Sequence, residues 1–378
     1  MATKSRNYGI ELLRILAMLG VIVFYINAFG PLHGAGLSFG RFSLTWLLEV
    51  LVLPAMNVFI IISGFVGCRA EKAYPRTKGI LRMLFTALFY SVIICLIFKI
   101  IYPEAIGGME IVKAFMPFTS GQYWFLSAYL VLCLFMPLLN RFVWHVSGRT
   151  LLFTLLVFLS VFSVYSVLPS MLGDFLALNS GTGAVWFMLL YLVGGFMRRV
   201  DLPSKFSRKN WLILLGACYL LTYITVLVFG KMDVSLFNFS LSRLGYIFAA
   251  SISPTMFLAA VALVCIFAKC EVRPILVPWV KFISSSVYSV YLIHANTFVL
   301  GAWFVSLFSP LATANPILTL LLTLIYALCV FVVCLFVDLL RRILFNVIRA
   351  EIAVDRVDTM IKDLYARVND YAAKKLGL

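Results

Sequence analysis

A chain of 378 residues could hold two soluble domains, but 63% of these residues are hydrophobic and only 12% charged, which excludes a soluble or disordered protein and marks an integral membrane one. The formal charge of +16 would suit a nucleic-acid partner, yet Lys and Arg gather on alternate loops between apolar runs. That is positive-inside topology, and it argues against nucleic acid. The eight cysteines fall mostly within apolar runs with no CxxC or Cys/His spacing, so neither a disulfide framework nor a metal is expected.

Hydropathy predicts about ten spans, at roughly 9–29, 44–66, 80–101, 123–140, 150–168, 183–197, 211–229, 244–268, 282–306 and 317–340. The expected fold is all-α, a polytopic membrane bundle over residues 1–342 followed by a cytoplasmic amphipathic helix over 343–378. With the N-terminus inside, the inner loops collect Arg6, Arg69, Lys78, Arg141, Arg149, Arg198, Arg199 and the tail from Arg341 onward. Both termini are then cytoplasmic in a multi-pass protein of the cell membrane. The first run is too long for a signal peptide, and Glu11 and Arg14 interrupt it.

Those two charges make the first span the segment to watch. A charge near the bilayer centre costs at least roughly 3 kcal/mol, so Glu11 and Arg14 should face protein or water and have partners. At about 100° per residue, Arg14 and Tyr25 differ by only about 20° in azimuth and share one face roughly three turns apart. Glu11 joins that face by its i,i+3 spacing to Arg14.

The second span carries Glu49, Pro54 and Asn57 and is expected to end in a turn at Ser63, Gly64 and Phe65. A proline inside a span frees backbone carbonyls, so this span should face protein or water rather than lipid. Glu49 is either a counter-ion for Arg14 or a carboxylate near the outer interface. The following inner loop offers Arg69, Arg76, Lys78 and Arg82 as a clamp for the phosphates of an anionic cytoplasmic ligand, although positive-inside bias alone would supply basic residues there.

Gly, Pro and aromatic residues between the third and fourth spans suggest an outer loop folded back on the membrane. Tyr123 and Trp124 end it, either as an aromatic belt or as a platform for the apolar faces of a sugar. Spans between 150 and 229 read as scaffold. In the ninth span His294, with Ser284, Ser286, Ser289 and Asn296, is either a functional imidazole or a histidine tied to a neighbouring helix. The tail repeats apolar residues at Val347, Ala350, Val354, Val357, Ile361, Leu364, Val368 and Tyr371, which is heptad spacing. It should dock on the domain or the membrane surface, or pair copies of the chain as a short coiled coil.

Four stretches, ELLRILAMLGVIVF in the first span, FIIISGFVG closing the second, SGQYWFLSAYLVLCLFMPLLN around the fourth and YSVYLIHAN in the ninth, resemble the acyltransferase 3 family over roughly residues 7–340. The resemblance implies a polytopic O-acyltransferase. Such an enzyme moves an acyl group, usually acetyl from acetyl-CoA, to a hydroxyl of a cell-surface glycan or lipid-linked sugar, with the donor site opening inward and no metal. The family's first-span signature is an arginine, ten intervening residues and a histidine. Arg14 matches the arginine, while Tyr25 stands at the histidine position. A phenol with an ordinary pKa near 10 is a poor base at neutral pH. His33 lies about 12 Å further along the axis and roughly 80° round, so it does not simply substitute.

Three readings follow. The first is an acyltransferase in which Arg14, Tyr25, Glu11 and His294 carry the chemistry, Arg14, Arg69, Lys78 and Arg82 hold acetyl-CoA, and Glu49, Tyr123 and Trp124 face the acceptor. The second is the same scaffold without turnover, binding donor or glycan. The third is a secondary transporter built around Glu11, Arg14 and Glu49, against which the absence of evident inverted halves counts.

Overall fold

The computed structural model describes residues 6–29, 38–69, 77–165, 181–232, 235–236, 239–240, 245–308, 311 and 314–376. Helix α1 is Tyr8–Phe29, α2 Phe39–Val52, α3 Ala55–Gly67, α4 Thr77–Ile101, α5 Gly108–Phe115, α6 Trp124–His145, α7 Gly148–Leu159 and α8 Ala184–Arg199. They are followed by α9 Arg208–Phe229, α10 Pro254–Ala268, α11 Val277–His294, α12 Pro316–Val347 and α13 Ala350–Leu376. Among the described residues eight helical stretches are long and apolar enough to cross a membrane, α2 and α3 counting as one. The apolar stretch Gly148–Val164 and α8 occupy the places of the fifth and sixth expected spans. One small departure from the all-α expectation is an antiparallel pair, Ser235–Leu236 with Phe239–Ser240.

Helix α1 is the hub of the bundle and packs against α2, α3, α10, α11 and α12. Its entry is fixed by Asn7, whose Oδ1 accepts the Ile10 N–H at 3.1 Å while its Nδ2 donates to the Ala268 carbonyl at 2.8 Å. That arrangement satisfies one of the orphan donors at the helix start and ties it to the end of α10.

The second expected span is divided at Leu53 and Pro54, where the missing proline N–H ends α2 and starts α3. Pro54 is buried, as the proline argument requires, and it lies beside Asn57 at the protein interior. Asn57 receives the Trp186 indole N–H at 3.1 Å and donates to the Ser251 carbonyl at 2.7 Å, joining α3 to α8 and to the segment before α10. The turn expected at Ser63, Gly64 and Phe65 is helical instead. A Cβ on Gly64 would lie 2.1 Å from the Tyr191 carbonyl oxygen, and one on Gly194 would lie 2.2 Å from that of Ile61. The two glycines therefore serve a close crossing of α3 and α8 rather than a turn, the way small residues bring membrane helices together.

The ninth expected span is also interrupted. Helix α11 ends at His294, and Asn296 accepts the Phe298 N–H at 3.0 Å before the chain resumes as a π-helical turn, Val299–Phe304. The loop between α4 and α6 is tied to α4: Lys99 Nζ donates to the Pro103 and Ile106 carbonyls at 2.8 and 2.7 Å, and Ser91 Oγ lies 2.7 Å from the Ala114 carbonyl.

Helix α12 runs on to Val347, past the expected end near 340, and Arg349 in left-handed backbone (φ 52°) separates it from α13. The first turns of α13 lie on α4. Glu351 holds Arg82 through contacts of 2.7–2.9 Å, Lys78 pairs with Asp355, and Thr77 donates to Asp358. Beyond Asp358 the apolar stripe Ile361, Leu364, Val368 and Tyr371 is exposed.

Two outcomes follow from these contacts. Gly64→Ala must push a methyl group into backbone, and it should lower stability by about 1–3 kcal/mol or more, read as an earlier thermal transition in detergent. The ion pairs of Glu351 and Asp355 that join α13 to α4 are exposed, so this part of the contact should loosen in high salt. Lys362 and Thr77 hold the Asp358 carboxyl below its ordinary range. The docking it supports is therefore complete above the usual carboxylate pKa and is lost as pH falls through the lowered value. A spin-label or fluorophore pair spanning α4 and α13 should report the release in both cases.

Candidate functional site

Residues Arg14, Met18, Val21, Tyr25 and Phe29 recur at spacings of three and four along α1, and together they line a cavity of about 1050 Å³. The expected shared face of Arg14 and Tyr25 is thus the face that meets the cavity. Its basic end is formed by Arg14, Arg82, Arg341, Ser284 and Ser285, and its opposite end by Trp46, Glu49, Gln122, Trp124 and Tyr246. Ligand pockets usually measure roughly 300–1,000 Å³, so this one is large.

At the basic end Arg14 is held by Glu11. Arg14 Nη1 donates to both carboxylate oxygens, at 3.1 and 3.2 Å, and Arg6 Nε donates to Oε1 at 3.0 Å. Glu11 is 5% exposed and lies behind the cavity wall, whereas the Arg14 side chain keeps 28% exposure toward the cavity. The carboxylate's loss of water is offset by two cations, the condition under which a buried charge persists in an apolar bundle. Glu11 therefore takes the counter-ion role that had been open to Glu49. Glu49 lies at the opposite end of the cavity, where Tyr246 also lines the wall.

The other expected donor-binding residues divide. Arg82 lines the cavity but is bound by Glu351, and Lys78 is paired with Asp355 outside the lining. Arg69 is exposed beside Arg198, away from the cavity. Arg76 and His33 lie outside the described residues.

The aromatic residues divide as well. Trp124 lines the cavity next to Phe125 and Tyr129. Tyr123 is fully buried behind them, its hydroxyl donating to the Leu292 carbonyl at 2.9 Å and accepting from Asn296 Nδ2 at 3.0 Å. The structure thus gives Tyr123 a fastening role, holding the break after α11 against α6, rather than a place on an exposed platform.

Tyr25 and His294 meet. Their rings stand edge to face with centroids 5.4 Å apart, and both Tyr25 and Trp124 line the cavity. His294 is 1% exposed, and its Nδ1 lies 2.6 Å from the Val290 carbonyl oxygen. A carbonyl only accepts, so Nδ1 carries the hydrogen and Nε2 of the neutral ring bears the lone pair. Among the described residues, that Nε2 and the neighbouring Tyr291 hydroxyl are buried with no hydrogen-bond partner. Such atoms call for explanation, and proximity to a cavity is one.

Sequence reasoning passed over Asp338 and Arg341. Asp338 is fully buried in α12, where its Oδ1 accepts from Arg341 Nε at 2.9 Å and from the Tyr90 hydroxyl at 3.0 Å, and its Oδ2 accepts from Arg342 Nε at 2.8 Å. The signal was present: an aspartate inside an apolar run with arginines three and four residues on repeats the first-span pattern of Glu11 and Arg14.

Replacing Glu11 by Gln leaves Arg6 and Arg14 facing an uncharged amide in a buried position. Removing one partner of a buried pair typically costs about 3–5 kcal/mol; with both arginines partly exposed, about 2–4 kcal/mol is expected, measured by thermal unfolding in detergent beside Glu11→Asp, which keeps the charge.

Compared with models of known protein families, residues 7–338 match the one described as an acyltransferase domain. No curated protein and no solved structure matches the chain.

Proposed function

The chain belongs to the acyltransferase 3 family, and from that premise we propose that it transfers an acetyl group from acetyl-CoA to a hydroxyl of a cell-surface carbohydrate or lipid-linked sugar. Membership makes it a membrane acyltransferase in general, in place of the transporter reading; donor and acceptor are our inference. The observation that carries it is a cavity with chemically opposite ends, three guanidinium groups at one and a carboxylate among aromatic rings at the other. An anionic, phosphate-bearing donor suits the first. The apolar C–H faces and hydroxyls of a sugar suit Trp46, Trp124, Tyr246 and Glu49 at the second. With the basic end cytoplasmic, as positive-inside topology expects, donor and acceptor would enter from opposite sides of the cell membrane.

Arg14, held by Glu11, neutralises negative charge on the donor. The acceptor hydroxyl must lose a proton as its oxygen bonds to the thioester carbonyl, the carbon–sulfur bond breaks, and the thiolate regains a proton. The base we assign is the lone pair on His294 Nε2, buried against the Tyr25 ring. Tyr25, rather than His294, faces the cavity. This placement supports a second reading, in which the chain binds donor or glycan and turns over slowly or not at all. The exposed stripe from Ile361 to Tyr371 is the surface α13 offers to the membrane face or to a second copy of the chain.

The test is a paired assay of acetyl-CoA binding and labelled acetyl transfer to surface polysaccharide. Tyr25→His is expected to raise transfer by about 10²-fold or more, since a positioned base contributes roughly 10²–10⁴. Arg14→Ala should abolish transfer, and His294→Ala should remove whatever transfer the chain itself shows. Binding without transfer, with transfer restored in Tyr25→His, selects the second reading. Absence of acetyl-CoA binding throughout overturns the donor assignment.

A further inference from the structure

Two guanidinium groups at the basic end of the cavity share one construction. In α1, Glu11 lies between Arg6 and Arg14; in α12, Asp338 lies between Arg341 and Arg342. In each set one carboxylate faces two cations, so each keeps one net positive charge, and each turns a single arginine, Arg14 or Arg341, to the cavity. The serine run in the middle of α11 joins them. Arg6 Nη2 donates to Ser284 Oγ at 3.4 Å, and Arg342 Nη2 donates to Ser285 Oγ at 2.9 Å and to Ser286 Oγ at 2.7 Å.

Rigidity distinguishes these two arginines from the other basic groups nearby. Arg341 is braced by fully buried Asp338, its guanidinium lies over the Phe345 ring at 4.8 Å, and its side chain keeps only 13% exposure. Arg82, by contrast, is met by the exposed carboxylate of Glu351, which cancels its charge at the same end. A desolvated aspartate within a membrane bundle is costly. Its effect here is to fix a guanidinium where the cavity begins, as preorganised anion sites require.

We propose that Arg14 and Arg341 form a phosphate subsite at the basic end of the cavity, with Glu11, Asp338 and the Ser284 to Ser286 run as its positioning groups. The ligand chemistry is a phosphate ester or diphosphate. Its assignment to the nucleotide part of the acyl donor rests on the function proposed above. Arg341 is the new binding residue, and Asp338 acts through it.

The experiment measures binding to the full chain in phosphatidylcholine nanodiscs, using CoA, inorganic pyrophosphate and phosphate-free acetyl-pantetheine as probes. Arg341→Gln should weaken CoA and pyrophosphate by about 10–100-fold, the worth of a charge-assisted pair, and leave acetyl-pantetheine unchanged. Arg341→Lys keeps the charge without the fork and should lose less; it also serves if the glutamine variant does not fold. Asp338→Asn should weaken the same two probes through a mobile Arg341, and salt should erode all of these differences. Equal affinity of both Arg341 variants for CoA and pyrophosphate, or an equal loss for acetyl-pantetheine, overturns the subsite. Pyrophosphate binding that depends on Arg341 without any CoA binding keeps the subsite and overturns the donor reading. Adding phosphatidylglycerol separates the sources: competition with pyrophosphate through Arg341, again without CoA binding, makes a lipid headgroup the occupant.

Discussion

A carboxylate shared by two guanidinium groups is the constraint around which the bundle is arranged. In an apolar interior neither a lone Glu11 nor a lone Arg14 can persist, and the pairing with Arg6 solves this while leaving one positive charge over. The same arithmetic holds at Asp338, where Tyr90 adds a hydrogen bond. Because α1 touches five other helices, orienting its charged face also orients the cavity. The apolar residues on its other faces are then free to form the core with α3, α10 and α11.

Two helix breaks contribute to the cavity wall, through Leu53 and Ala55 at one and Ala295 and Thr297 at the other. Pro54 ends α2, the Leu51 carbonyl just before it accepts from the Tyr219 hydroxyl at 3.1 Å, and nearby Asn57 is bonded to Trp186 and Ser251. On the opposite wall α11 stops at His294, and Asn296 with Tyr123 secures the chain that follows. Irregular backbone at membrane depth is tolerated only where protein or a cavity meets its polar groups, and both breaks satisfy that condition. Elsewhere the helices approach closely, as Gly64 and Gly194 allow for α3 and α8.

The pairing of Tyr25 with His294 gives the substitution in the arginine–histidine signature a structural setting. A phenol occupies the cavity wall, and an imidazole with a fixed tautomer stands against its ring. The polar ends of the cavity are thus joined through a middle of aromatic groups, where the acidic and basic capacities of the wall are few and well separated. Helix α13 adds a different layer: its early carboxylates lie on the basic face of α4, so part of the positive charge near the cavity is already neutralised by the chain itself.

Composition and hydropathy alone determined the membrane bundle, the approximate spans and, with the four stretches of resemblance, the family. These depend on local properties, apolar run length and short motifs, that a linear chain displays directly. Helical periodicity likewise placed Arg14 and Tyr25 on one face, because azimuth within a single helix follows from residue spacing. What only tertiary structure decided is which residues from different helices meet. Heptad spacing gave no hint that Glu351, Asp355 and Asp358 would tie the first turns of α13 to α4 beside buried Val354, and a basic loop looks the same whether its charges are free or paired. The contact of His294 with Tyr25, the withdrawal of Tyr123 into the core and the choice of Glu11 over Glu49 as partner of Arg14 all join elements distant in sequence or choose between them. They depend on helix crossing points set by glycine contacts and helix breaks, whose outcome is a property of the packed bundle and not of any one segment.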